Sequence, residues 1–177
     1  LLIKRTSKSH INKILSEKKN WKILDIGCGF NPNQYATTIC DVLDLKEQYL
    51  DKKFIKLNND NLPFADNEFD FVIASHVLEH VKDPTKFLNE VSRVAKQGYI
   101  EVPTKLEDNL VFENKKAHLW HLTFDDVNQV INISKKIQFF EPILAVSSIK
   151  KLNNYFRDSL LLELHWENTI EFKFNEN

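Results

Sequence analysis

Only three glycines, Gly27, Gly29 and Gly98, punctuate the 177 residues, and each stands beside an apolar run. A chain this poor in its most pliable residue places it where a turn must be tight or where another group must come close to the backbone. Gly27 and Gly29 follow the run from Trp21 to Ile26, which is long enough for a strand buried on both faces and too short for a helix. A buried strand running into a glycine turn is the seed of a layered fold with a ligand site at the strand's end.

The surrounding pattern supplies the layers. Ile11, Ile14 and Leu15 recur at helical spacing within 6–19 and predict an N-terminal helix. Residues 39–45, 53–57, 69–75 and 99–102 read as further strands. Asp83 followed by Pro84 is a helix-start signal, and Phe87, Leu88, Val91, Val94 and Ala95 then keep a helical period up to Gly98. Thr123 with Asp126 three residues on resembles a capping box and predicts a helix through Ile133. Two apolar stretches, 137–148 and 160–174, predict strands that pair as an antiparallel edge. The expectation is one α/β domain over 1–177, a mostly parallel sheet with helices on both faces and an antiparallel C-terminal edge strand. Such sheets bind ligands at the carboxyl ends of their strands.

Composition narrows the function. With 42% hydrophobic and 28% charged residues the chain is globular. Its 24 basic against 25 acidic residues give a net charge of -1, so no basic field exists to draw nucleic acid. Cys28 and Cys40 are too few for a disulfide framework and are read as reduced thiols, which places the protein in the cytoplasm. No apolar run approaches the roughly 20 residues that span a bilayer, and the opening residues lack a signal-peptide pattern, so no membrane partner is expected. The chain has no methionine, even at its first position, which fits a segment of a longer product.

Four linked motifs carry the chemistry. Ile23-Leu24-Asp25-Ile26-Gly27-Cys28-Gly29-Phe30-Asn31-Pro32 sets a carboxylate in a strand and two glycines in the turn beyond it. A dinucleotide fingerprint would need a third glycine where Pro32 stands, which disfavours a nicotinamide cofactor. Asp41-Val42-Leu43-Asp44 ends the second strand with an acid. Asn58-Asn59-Asp60-Asn61-Leu62-Pro63-Phe64 precedes the fourth strand, and the run from Asp66 to Val81 contains that strand and the turn after it.

In order and spacing, these motifs across Trp21 to Pro103 resemble the class I S-adenosylmethionine-dependent methyltransferases, of the small-molecule and glycan-modifying branch (methyltransferase type 11-like). The resemblance implies a Rossmann-like fold and S-adenosyl-L-methionine as cofactor. It further implies that Asp25, Gly27, Cys28 and Gly29 surround the methionine part, with Ser75 and His76 lining the same end. Asp44, beside Leu45, would accept hydrogen bonds from the ribose hydroxyls. Asn58 stands where the family usually has an acid for the adenine amine, with Asn59, Asp60 and Leu62 close by; an amide oxygen can accept the same bond without charge. Asp25 also admits a second reading, that of a buried acid serving loop amides alone.

Two histidine clusters remain. His76-Val77-Leu78-Glu79-His80 fits the H-x-x-E-H letters of a zinc site, but a third ligand is missing from the sequence neighbourhood, so no metal is expected. His118-Leu119-Trp120-His121 follows the fifth strand, where the family places substrate-binding insertions. Trp120 offers a flat face for a ring, or is ordinary core; His118 and His121 are the catalytic candidates, as bases for an alcohol acceptor, or are simply solvated. Glu101, Lys105 and Asp108 face either the cleft or water. The expected activity is methyl transfer by in-line displacement to a small-molecule or glycan acceptor. The alternatives are a non-catalytic cofactor-binding module or regulatory subunit, and an NAD-dependent oxidoreductase. Oligomeric state is not readable from the sequence.

Overall fold

The computed structural model describes residues 2–59 and 61–176. Seven strands form the main sheet: β1 (Ile3–Arg5), β2 (Ile23–Ile26), β3 (Thr38–Asp41), β4 (Lys53–Lys56), β5 (Phe71–Ser75), β6 (Gln97–Pro103) and β9 (Leu161–Glu167). Their spatial order is β1-β9-β6-β5-β2-β3-β4. The five strands from β6 to β4 run parallel, whereas β9 is antiparallel to both β6 and β1. The antiparallel C-terminal strand is therefore present, with one difference: β1 lies outside it and takes the edge.

Alternation along the strands divides the core between two faces. Ile23, Phe71, Ile73 and Tyr99 point to one face, where Ile11 and Leu15 of α1 (Lys8–Glu17) pack on them. Leu24, Ile26, Val72, Ala74 and Ile100 point to the other, beneath Phe87, Leu88, Val91 and Val94 of α2 (Pro84–Val94). Both helices start on a side-chain cap: Ser7 accepts from the His10 amide, and Asp83 accepts from the Lys86 amide with Pro84 in the first turn. Gly98 allows β6 to lie close to its neighbour, since a Cβ there would stand 2.4 Å from the Val72 carbonyl oxygen.

Two sequence expectations are corrected. Thr123 and Asp126 do not open a helix: β7 (Trp120–Asp125) and β8 (Val130–Lys135) form a hairpin, joined in a small second sheet by β10 (Phe172–Phe174). Alternation prevails over the capping-box likeness, because Leu122, Phe124, Ile131 and Ile133 all enter the core while Thr123 is exposed. Asp125 caps the connecting turn by accepting from the Val127 and Asn128 amides at 3.0 Å each, and Gln129 completes it at φ +57°. The stretch 137–148 is not a strand either. It runs as an irregular segment into α5 (Val146–Leu160), whose Ile149 and Leu160 pack with Val111. Two short helices, α3 (Lys105–Leu110) and α4 (Asn114–Ala117), connect β6 to the hairpin. No helix among the described residues is long and apolar enough to cross a membrane.

Candidate cofactor site

The Gly27 turn leaves β2 at φ +64°, in the left-handed region, and a Cβ at that position would meet Val77 Cγ2 at 2.5 Å. Glycine is thus required twice there, by backbone conformation and by the turn that follows β5. Gly29 also has positive φ, at +50°, and open space on its Cβ side. The Gly29 amide donates to Asp41 Oδ2 at 2.9 Å, and its carbonyl accepts from the Tyr49 hydroxyl at 2.7 Å, so the turn is fixed from β3 and from the segment beyond it.

A cavity of about 530 Å³ opens at the carboxyl ends of β2 and β5. Asp25, Gly27, Cys28, Ser75 and His76 line it, together with Glu101 of β6, Lys8 and Asn12 of α1, the 31–34 loop and Lys150 of α5. A larger hollow of about 650 Å³ lies among β1, α1 and β9, but it includes none of the glycine turn.

The wall carries both charges. Burial pushes the Asp25 carboxyl up to about 6, against the opposing hydrogen bond it accepts from the Asn33 amide at 2.7 Å. The structural reading of Asp25 is met by that bond, and its place on the cavity wall keeps the binding reading as well. His76 sits at φ +57°, an unusual backbone for a residue with a Cβ. Burial pulls its imidazole pKa down, but Glu101 and Glu79, each 3.3 Å away, outweigh that and push it up to about 10. The ring is a cation at neutral pH, although 41% of its side chain is exposed and solvent screens the pair.

Glu101 is the centre of the polar network behind this wall. It accepts from the Ser75 hydroxyl at 2.7 Å and lies 3.4 Å from Lys8 Nζ and 2.5 Å from Arg157. The Tyr99 hydroxyl stands between Glu101 and Glu163, at 2.6 and 2.7 Å. Burial opposes ionisation of Glu101, but His76, Lys8 and Tyr99 hold its carboxyl well below the usual range. Lys8, Glu101 and Lys150 as a set lay beyond sequence reasoning, because they come from α1, β6 and α5 and share no spacing.

The remaining expected contacts divide. Asp44 is exposed beyond the end of β3, flanked by exposed Val42 and Leu43, and Asn58 and Asn59 are exposed beyond β4. Leu45 is buried in the α1-side core, and Leu62 is buried in the α2-side core, where its carbonyl accepts from Arg93 at 3.0 Å. Asp60 lies outside the described residues.

His118 and His121 are not on the cavity wall. Both are buried on one carboxylate: His118 Nδ1 lies 2.5 Å from Asp108 Oδ1, and His121 Nε2 lies 2.9 Å from Asp108 Oδ2. Lys136 Nζ lies 3.3 Å from the same carboxylate. Burial raises the cost of charging Asp108, but His118, His121 and Lys136 hold its carboxyl well below the usual range. Neither histidine is among the residues that line the cavity, and both turn to Asp108 inside the protein. Trp120 is half-buried: its indole donates to the Val81 carbonyl at 2.8 Å and meets the Phe174 ring edge-on. Glu107, beside Asp108, is a buried carboxyl that the sequence did not flag; burial pushes it up to about 7.

Residues 24–100 match the family model described as a methyltransferase domain. An uncharacterized protein of Methanocaldococcus jannaschii is 37% identical over 109 residues, covering 57% of this chain and 48% of its own. An uncharacterized methyltransferase of Schizosaccharomyces pombe is 33% identical, covering 46% of this chain and 38% of its own. A demethylmenaquinone methyltransferase of Renibacterium salmoninarum is 37% identical, covering 44% and 38%. The chain spans about half, or less, of the length of these curated relatives. With the parallel sheet and the glycine turn, residues 24–100 are similar to the S-adenosylmethionine-dependent methyltransferase family. S-adenosyl-L-methionine is the cofactor of that family, and the paired acids and cations of the cavity suit the zwitterion at its methionine end.

Proposed function

We propose that this chain binds S-adenosyl-L-methionine in the cavity beyond β2 and β5 and catalyses methyl transfer to a small-molecule or glycan-type acceptor by in-line displacement. The observation that carries the reading is the cavity wall itself, where glycine backbone is flanked by acidic Asp25 and Glu101 and by cationic His76 and Lys8. When bound, the cofactor supplies an electrophilic methyl group on a positively charged sulfur. Asp25 would orient the ammonium of its amino-acid end, and His76 and Lys8 would face the carboxylate. Asp44 would accept from the ribose hydroxyls, with exposed Val42 and Leu43 beside it as apolar cover for the base. Positioning of this kind accounts for a large part of what an enzyme can contribute to a displacement.

An open groove of about 450 Å³ supports the acceptor class, since it sets Trp120 beside His118, Lys115, Lys136 and Gln138, an apolar face ringed by hydrogen-bonding groups. His118 and His121 would then act through Asp108 as positioning residues. A non-catalytic cofactor-binding module is the second reading, favoured because neither histidine is among the residues that line the cavity. Calorimetric titration with S-adenosylmethionine, S-adenosylhomocysteine and NAD tests the assignment: the first two should bind and NAD should not, and the reverse pattern overturns it. Binding without transfer to any of a panel of hydroxylated acceptors selects the second reading.

A further inference from the structure

Glu79 is fully buried, and neither of its carboxylate oxygens has a hydrogen-bond partner among the described residues. Its nearest charged neighbour is His76 Nδ1, at 3.3 Å. That imidazole is shared with Glu101 and makes no hydrogen bond to Glu79, so the buried carboxylate keeps lone pairs for a further cation.

His80 and His118 stand beside it. Their rings meet edge to face with centroids 4.4 Å apart, and one ligand atom from each of Glu79, His80 and His118 lies within 4.8 Å of the others. Each imidazole is already held from behind. His80 Nδ1 lies 3.0 Å from the Ala117 carbonyl, and His118 Nδ1 lies 2.5 Å from Asp108. Contacts of this kind place the proton on Nδ1 and leave Nε2 available as a ligand, the arrangement that metal-bound histidines use. The backbone prepares the cluster too: the Leu119 amide donates to the Glu79 carbonyl at 2.8 Å, and the Trp120 indole donates to Val81.

We propose that Glu79, His80 and His118 form a binding site for one first-row divalent cation of the zinc type. Two imidazoles and a carboxylate suit zinc, whereas magnesium and calcium prefer all-oxygen sets. Three protein ligands leave a fourth position for water or an acceptor oxygen, and exposed His80 provides the way in. The set differs from the one the H-x-x-E-H letters suggest. His76 turns to Glu101 as well as Glu79, and the third ligand comes from His118, some forty residues further on.

The test uses the tag-free full chain, stripped with a chelator and titrated with ZnCl2 by calorimetry, with CoCl2 as an absorption probe. One equivalent of zinc should bind, and cobalt should give the visible bands of a four-coordinate site. Glu79→Gln and His118→Ala should each weaken zinc at least about 100-fold, and Asp108→Asn, which holds His118 from behind without being a ligand, about 10-fold. His80→Ala alters an exposed residue, so its circular dichroism should match the unaltered chain while its zinc affinity falls. Equal affinity in that variant, or no binding tighter than about 0.1 mM in the unaltered chain, overturns the proposal. The titration contains no S-adenosylmethionine, so its failure would leave the methyltransferase reading standing.

Discussion

Asp41 Oδ2 accepts the Gly29 amide at 2.9 Å, so the carboxylate that ends β3 holds the glycine turn, while Asp44, three residues on, faces solvent. Asp41 also takes the Leu43 amide at 2.9 Å through its other oxygen. The two acids of one motif are thereby separable. Asp44→Ala should weaken S-adenosylhomocysteine binding by about 1.5–3 kcal/mol, the worth of hydrogen bonds to a charged group, with an unchanged melting temperature. Asp41→Ala should lower the melting temperature, and calorimetry with thermal unfolding reads both effects. Unaltered affinity in Asp44→Ala would remove that residue from the ribose role.

Gly27→Ala should be severe. The new methyl would sit 2.5 Å from Val77 Cγ2 on a backbone at φ +64°. Strain of that kind costs about 1–3 kcal/mol, and relief by moving Val77 would shift the His76 turn. Chemical denaturation should show the loss, and cofactor titration should show a larger one.

Asp25 couples stability to pH. Its folded value of about 6 lies above the ordinary 3.8, so the cost of ionising it in the fold is absent below about 3.8 and complete above about 6. Asp25→Asn should therefore stabilise the protein at pH 7.5 by about 1–3 kcal/mol and leave pH 3.5 stability nearly unchanged. The same substitution should weaken cofactor binding. In the unaltered chain affinity should fall as pH drops below about 6, and a flat profile from pH 5 to 8 would exclude Asp25 as the ammonium partner.

His76 has the opposite sign. Because its folded value is raised to about 10, its ion pairs contribute fully below the ordinary 6.5 and are lost only as pH rises through about 10. An NMR titration of the imidazole should find it still protonated at pH 8; a midpoint near 6.5 would refute the charge assigned to the cavity wall. His76→Asn, which tolerates positive φ, should preserve the fold and weaken the cofactor.

What could be read beforehand was what local chemistry dictates. The Asp83-Pro84 start of α2 and its apolar period were legible because cap, first-turn proline and buried stripe all agree. The 123–133 region misleads because Thr123 and Asp126 mimic a cap while only the partner strand reveals that Leu122 pairs with Ile133. Helix α5 follows Ala145, which offers no side-chain cap, and departs from helical geometry at Phe156, so its sequence carries weak signals at the start and within. At the site, Asp25, Gly27, Ser75 and His76 were visible as parts of contiguous motifs. Lys8, Lys150 and the approach of His118 to Glu79 exist only after crossovers that no spacing encodes.

The seam between β1 and β9 sets an order on assembly. Ile3 pairs with Trp166 and Arg5 with Leu164, so residues near one end of this sequence wait for residues near the other. During synthesis the parallel strands could gather first, but the β9 slot, and with it Glu163 behind the cavity wall, would fill only after residue 166 leaves the ribosome. A nascent chain stalled before that point would hold the glycine turn and still lack part of the scaffold that sets the charge around it.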